Sequence, residues 1–406
     1  MDSPAQPHQV PQEILDIIID DNSHDEAMHK IFALVSKSFL FQSRKHFFRD
    51  IHFQGDDGEC RALQARFWEI LNANPDIASY IRNVHIEDNA SSETLGEDHG
   101  ERPSWIREEE TFQGILLVLA KNQISDLTLD TDLDWMSFPI GLQHALTQIL
   151  TCPSLVSLDL SALTSLPVSC CTHFPRLKHL RISSIVLVES EDRYQREAAT
   201  VSISSLIVAS LKGRSAQLFR KILGLGTTGS PLAFLEELRI STCDAGFTRE
   251  VIWAARKSLR CLTLAARRDT DVINLSDLES LNRLELKVYS HEDYQTGVLG
   301  VLETGGPNKE LRTIHIMLHR ASYRSWVDHL LHEATGSFWR RLATTLDRFS
   351  SVMHLVIELS MFQDEGSYLG EEQTAGLERS VRNGLASAGG NFGSVNRVLL
   401  VEISQL

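Results

Sequence analysis

The sequence predicts an α/β fold: a short N-terminal three-helix module followed by an irregular α/β solenoid built on a parallel sheet. Three observations carry this reading. A six-residue pattern (aliphatic, two variable, aliphatic, one variable, aliphatic) recurs along most of the chain. Segments of helical length separate its copies. Residues 10–53 stand apart, with helix-start signals and large apolar side chains packed into a short stretch.

The first helix is signalled by Val10-Pro11-Gln12-Glu13. Proline suits the first helical position because that N–H is unpaired anyway, and Glu13 favours the positive end of the helix dipole. Ile14, Leu15, Ile17, Ile18 and Ile19 follow as a broad apolar stripe, ended by Asp20-Asp21-Asn22. Met28, Ile31, Phe32 and Val35 set a second helix from about Asp25, and Ser36 can cap a third that carries Phe39, Leu40, Phe47 and Phe48. Three helices this short cannot cover so many large side chains by themselves. Either the module packs on the next domain or it keeps an apolar face for a partner.

These residues resemble an F-box. The family opens with Leu-Pro-x-Glu and aliphatics, matched by Val10-Pro11-Gln12-Glu13-Ile14-Leu15. Its Leu-Val-Ser-Lys-x-Phe segment is matched by Leu34 to Phe39, and its closing aromatic stretch near a short strand by Phe47 to Phe53. Val10 for the usual Leu loses about one methylene, ~0.8 kcal/mol of burial. The acidic link Asp20–Asp25 is compressed. Phe67 to Ile86 is similar to the helix, Asn-Pro stop and Tyr-Ile-Arg segment that joins box to repeats in fungal members of the family. The resemblance implies contacts to a Skp-type adaptor, and through it a cullin scaffold, from Pro11, Ile14, Leu15, Ile18, Leu34, Val35, Lys37 and Phe39. The expected division is residues 8–53 for the box, 54–76 for a linking helix and 77–406 for the array.

The six-residue pattern occurs at Ile81–Ile86, Ile124–Leu129, Leu155–Leu160, Leu177–Ile182, Leu235–Ile240, Leu259–Leu264, Leu281–Leu286, Leu311–Ile316, Val352–Ile357 and Val395–Leu400, with a weaker copy at Ile203–Val208. The last two aliphatics alternate with polar residues, the period of a strand with one buried face. Such a unit cannot bury its apolar edge alone, so neighbours are expected to stack into a parallel sheet. Helices are expected over Glu108–Lys121, Ile140–Thr151, Ser325–Arg348 and about Glu371–Ala388. The pattern resembles the L-x-x-L-x-L strand of leucine-rich repeats. The usual Asn or Cys after the strand is missing, and intervals run from 22 to over 40 residues, so the array is irregular. Glu87–Glu110 and Glu189–Glu197 are polar, acidic segments that read as insertions.

Composition bounds the function. The chain has 406 residues, 54 acidic and 39 basic, for a formal net charge of −15. That opposes nucleic-acid binding, which rests on Lys and Arg displacing counterions. The N-terminus shows neither the basic nor the apolar region of a secretory signal, and the longest apolar run, Gly114–Ala120, is too short for a membrane helix. The six cysteines fit neither a zinc pattern nor a disulfide framework. A reduced cytoplasmic or nuclear setting is therefore expected, with no cofactor and no metal.

Catalytic signatures are weak. Gly224–Gly229 matches G-x-G-x-x-G, but an apparent helix end precedes it where the dinucleotide fingerprint needs a strand, so it reads as a glycine-rich helix exit. Cys170, Cys171 and His173 lack a fourth ligand, and His329 and His332 lack the H-E-x-x-H context. A non-enzymatic role follows. On the strands, His85, Thr128, Asp159, Arg181, Arg239, Thr263, Glu285, His315 and Val356 should face solvent, together with His179, Glu237, Cys261, Arg283 and His354. His179, Arg181, Arg239, Arg283, Glu285 and His315 are the candidate target-binding set. The leading expectation is the substrate-recognition subunit of a cullin-type (SCF) ubiquitin ligase, holding an unidentified protein target. The alternative is a non-catalytic interaction scaffold with no part in ubiquitination.

Overall fold

The computed structural model describes residues 10–22, 25–55, 57–88, 104–108, 110–171, 174–189, 202–225, 230–267, 273–289, 294–304, 308–320, 338–361, 371–386 and 398–405. The fold is mixed α/β, and its main strands are all parallel. The chain divides into two compact units, Met1–Leu177 with Ile185–Val201, and Lys178–Ser184 with Ser202–Leu406. The boundaries expected at residues 53 and 76 both lie inside the first unit.

The first unit opens with helices α1 (Gln12–Asp21), α2 (Glu26–Val35) and α3 (Lys37–Phe47). Pro11 directly precedes α1 rather than beginning it. Asp25 caps α2 by accepting from the Met28 amide at 3.0 Å, and Ser36 caps α3 by accepting from the Phe39 amide at 3.4 Å. Each cap satisfies an amide that the helix leaves unpaired.

Strands β1 (Asp50–Phe53), β2 (Asn83–Asp88), β3 (Asp126–Thr131) and β4 (Ser157–Ser161) then align in chain order. Helices α4 (Asp57–Ala73), α5 (Trp105–Glu108), α6 (Glu110–Ala120) and α7 (Ile140–Leu150) occupy the intervals. β5 (Leu166–Pro167) and β7 (Leu187–Val188) form a separate two-residue pair. An aromatic cluster closes this core: Phe53 meets Phe67 and Phe112 edge-on, and Trp105 meets Phe112 at 5.2 Å.

The second unit carries β6 (His179–Ser183), β8 (Ser205–Ala209), β9 (Glu237–Ser241), β10 (Cys261–Ala265), β11 (Arg283–Val288), β12 (Thr313–Arg320), β13 (His354–Met361) and β14 (Val398–Gln405), again in chain order. Its helices include α8 (Gly213–Ile222) and α9 (Ala245–Ala255), with later ones at Leu299–Thr304, Phe338–Leu346 and Glu371–Ala386. Of the expected Ser325–Arg348 helix, residues 325–337 lie outside the described residues.

Every copy of the six-residue pattern ends in a strand. Its second aliphatics fall in one register: Leu180, Leu206, Leu238, Leu262, Leu284, Ile314 and Leu355 are successive partners, all buried. The last copy corrects the expectation by one residue, since Leu355 pairs with Leu399 and not with Val398. Leu158, buried as expected, pairs with Leu127 in the first unit. The third aliphatics, Ile182, Val208, Ile240, Leu264, Leu286, Ile316 and Ile357, form a second buried row.

The two variable positions between the first and second aliphatics have a backbone reason. Their amides both donate to a single carbonyl of the preceding copy. Arg82 and Asn83 donate to Arg49, Ser125 and Asp126 to Arg82, Val156 and Ser157 to Ser125. In the second unit Glu236 and Glu237 donate to Ser204, Arg260 and Cys261 to Glu236, Asn282 and Arg283 to Arg260, and Arg312 and Thr313 to Asn282. This turn lets the first aliphatic of each copy (Leu155, Leu235, Leu259, Leu281, Leu311) join the same buried side as the strand residues three positions on.

Candidate functional site

In the helical module, α1 and α2 both pack near α3, with Ile19 buried from α1 and His29 from α2. Phe32 stacks on Phe39 at 5.4 Å, and His29 stacks on His46 at 4.9 Å. His46 and Gln42 on α3 both reach Asp20 at the end of α1, at 2.6 and 2.9 Å. Those two hydrogen bonds, Gln42 first, hold the Asp20 carboxyl below its ordinary value.

The opposite sides of these helices are bare. Leu34 is 87% and Val35 63% exposed, and Ile14, Ile17, Ile18 and Ile31 are also exposed. Of the residues singled out from sequence, Pro11 and Lys37 are exposed with them, while Leu15 and Phe39 are half-buried, the latter as part of the Phe32 stack. Val10, Ile17 and Ile31 belong to the same exposed apolar set. Their signal was legible as helical spacing: Ile14, Ile17 and Ile18, and Ile31, Leu34 and Val35, each stand at i, i+3, i+4.

The strand face away from the core is a polar network in the second unit. Arg239 Nε and Nη2 both lie 2.7 Å from Glu237 Oε1, and Ser205 Oγ donates to Glu237 at 3.0 Å. Arg283 Nη2 lies 2.5 Å from Glu285 Oε1, while Thr263 donates to the other oxygen at 2.9 Å. His315 Nε2 sits 3.1 Å from Glu358 Oε2 without hydrogen-bond geometry. His179, Arg181, Arg239 and Arg283 are exposed as expected. Thr263, Glu285 and His315 are not; all three are buried, which corrects the expectation that they face solvent. They occupy one row across β10, β11 and β12, flanked by strands on both sides, and the long neighbours bent over them close off water. Glu285 and His315 therefore present little surface of their own on that face.

Four of the thiols are poorly placed for nucleophilic chemistry. Burial pushes Cys170 and Cys171 up, and Cys243 up to about 11. Cys261 is raised by burial and then by Glu285 and Glu237, which outweigh Arg283 and Arg239. A reactive thiol needs the opposite shift. Gly224 follows α8 with φ 56°, and its amide donates back to the Lys221 carbonyl, a glycine helix exit. Gly226, Gly229, His173, His329 and His332 lie outside the described residues. Among the described residues no helix is long and apolar enough to cross a membrane.

No protein-family model matches the chain, and no curated protein is significantly similar to it.

Proposed function

We propose that this chain is a non-catalytic substrate receptor of a cullin-type (SCF) ubiquitin ligase, acting in the cytoplasm or nucleus. In this reading the three-helix module is an F-box that docks a Skp-type adaptor, and the strand array is a degenerate leucine-rich-repeat solenoid that holds a protein target. The observation that carries it is the bare apolar side of α1 and α2. A module that only packed against the rest of its own chain would bury Leu34 and Val35; they stand in solvent instead. Exposed apolar stripes of this kind are partner surfaces by default. Pro11, Ile14, Leu15, Ile18, Lys37 and Phe39 complete the docking set that the resemblance implies.

Target recognition falls to the exposed part of the strand face. His179 and Arg181 are exposed, and Arg239 and Arg283 present guanidinium groups already oriented by Glu237 and Glu285. Orientation before contact lowers the entropy cost of binding. No residue of the chain performs ubiquitin transfer; the cullin-bound partner supplies it.

The test is Leu34→Asp with Val35→Asp in the full chain. Both positions are exposed, so the melting temperature should stay within about 2 °C of wild type, as for a surface change of under ~0.5 kcal/mol. Co-purification of a recombinant Skp-type adaptor should be lost. Wild-type adaptor recovery with the double variant would overturn the docking assignment.

A further inference from the structure

A cleft of about 990 Å³ opens in the first unit, where the far side of α3 meets the starts of β2 and β3. Lys45 and Arg49 line it from α3 and the turn beyond, Arg82 from the start of β2, and Lys121 from the end of α6. Among the described residues none of these four cations forms an ion pair, though Lys45 feels the Asp20 carboxylate across the cleft. The contrast with Arg239, Arg283, Arg341 and Arg382, each paired to a glutamate, is plain. The one acid lining the cleft, Asp20, is already engaged by Gln42 and His46. Arg82 is locked in place by carbonyls alone: its Nη1 donates to Ser79, Ile81 and Gln123 at 2.9, 3.0 and 3.3 Å, so its charge is fixed but not neutralised. Lys45 lies 4.5 Å above the Phe41 ring, a contact that orients the ammonium and leaves its charge intact.

We propose that this cleft binds a compact polyanion, a small molecule carrying two or more phosphate groups. Four cations lining one cleft repel one another and gain when an anion enters among them. Guanidinium groups bind phosphate oxygens in pairs and lysines add point charges, so the set can hold more than one phosphate. The volume lies at the upper end of the range for small-molecule sites, roughly 300–1,000 Å³. The ligand is compact because the chain as a whole carries −15. An extended acidic segment would leave the cationic zone and meet that field within a Debye length, about 8 Å at physiological salt; a small ligand stays inside it. The site is distinct from the bare sides of α1 and α2, so the two can be tested apart.

Titration calorimetry of the full chain with sodium tripolyphosphate tests this, with sodium chloride added to hold ionic strength constant. Saturable one-to-one binding is expected, with orthophosphate weaker. Arg49→Glu with Lys121→Glu changes two exposed side chains and should weaken tripolyphosphate by at least about tenfold. Should that variant lose its cooperative melt, Arg49→Gln and Lys121→Gln taken singly should each weaken binding several-fold. The Leu34→Asp, Val35→Asp chain should bind tripolyphosphate as wild type does. Absence of saturable heat at matched ionic strength, or unchanged affinity in the charge variants, overturns the site. Hexaglutamate binding as tightly as tripolyphosphate overturns the ligand class.

Discussion

At the scale of single residues, acid pH should act through Asp20. Its folded carboxyl titrates below the ordinary value of 3.8 because Gln42 and His46 donate to it. A depressed folded pKa contributes stability that is fully present above the unfolded value and is lost as pH falls through the folded one. Asp20→Asn should therefore be less stable than wild type in urea at pH 7 and at pH 5. The gap should shrink only below about pH 3.8, as the wild type alone loses its margin when the Asp20 carboxyl is protonated. A gap that closes by pH 5 would mean that the α1–α3 tether rests on something else. Residue-level reading from sequence was least successful on the strand face. Glu285 and His315 alternate with leucines as solvent-facing residues should, yet they are buried. Alternation assigns a side of the sheet; it cannot tell that Arg283, two residues earlier on the same strand, folds back onto Glu285, or that Glu358 of β13 lies against His315.

Single elements behave as units of the register. Leu262, the second residue of β10, lies between Leu238 and Leu284, with none of its surface in solvent. Leu262→Ala should cost about 2–5 kcal/mol in denaturant unfolding, for lost burial plus the cavity left behind. Arg260→Ala, one residue before the same strand and exposed, should stay within about 0.5 kcal/mol. Equal effects from the two would place Leu262 outside the core. The long strands were legible because burying one face of a parallel sheet imposes a period that sequence records directly. β5 and β7 were not, since two residues cannot display a period. Helices α6 and α7 were found within two residues of their observed ends, the usual uncertainty of fraying termini.

For the whole molecule, the helical module cannot be removed cleanly at the break where composition changes. β1 follows α3 directly, yet it is the first strand of the unit's sheet, and Phe53 is fully buried against Phe67 and Phe112. A chain beginning at Asp56 should lose several kcal/mol, as expected for an excised core phenylalanine and an unpaired β2 edge. A chain beginning at Arg49 keeps the strand and the carbonyl that accepts from Arg82 and Asn83. It should melt close to the full chain while capturing no adaptor. Comparable stability for both truncations would show that β1 contributes little. The division into two units, set at residues 177–178, left no mark in the sequence: the six-residue pattern runs through it at Leu177–Ile182 without a change of kind.

The paired amides that meet a single carbonyl have a consequence for how such a chain can change over time. These strand starts are tied to the copy before them by main-chain amides, with a serine hydroxyl added at Ser125 and Ser204, and side-chain identity varies freely: Arg-Asn, Ser-Asp, Val-Ser, Glu-Glu and Arg-Cys all serve. The single residue type excluded is proline, which has no amide hydrogen to give, and none of those positions carries it. Glu236→Pro should therefore disrupt the join between β8 and β9, visible as earlier unfolding and faster amide exchange around Glu236 and Cys261, while Glu236→Ala should be nearly silent. Nothing in this join depends on the length of the interval between copies. Lineages descended from such a chain can lengthen, shorten or recharge those intervals one at a time without shifting the neighbouring strands, so divergence erases overall similarity while the leucine register stays put.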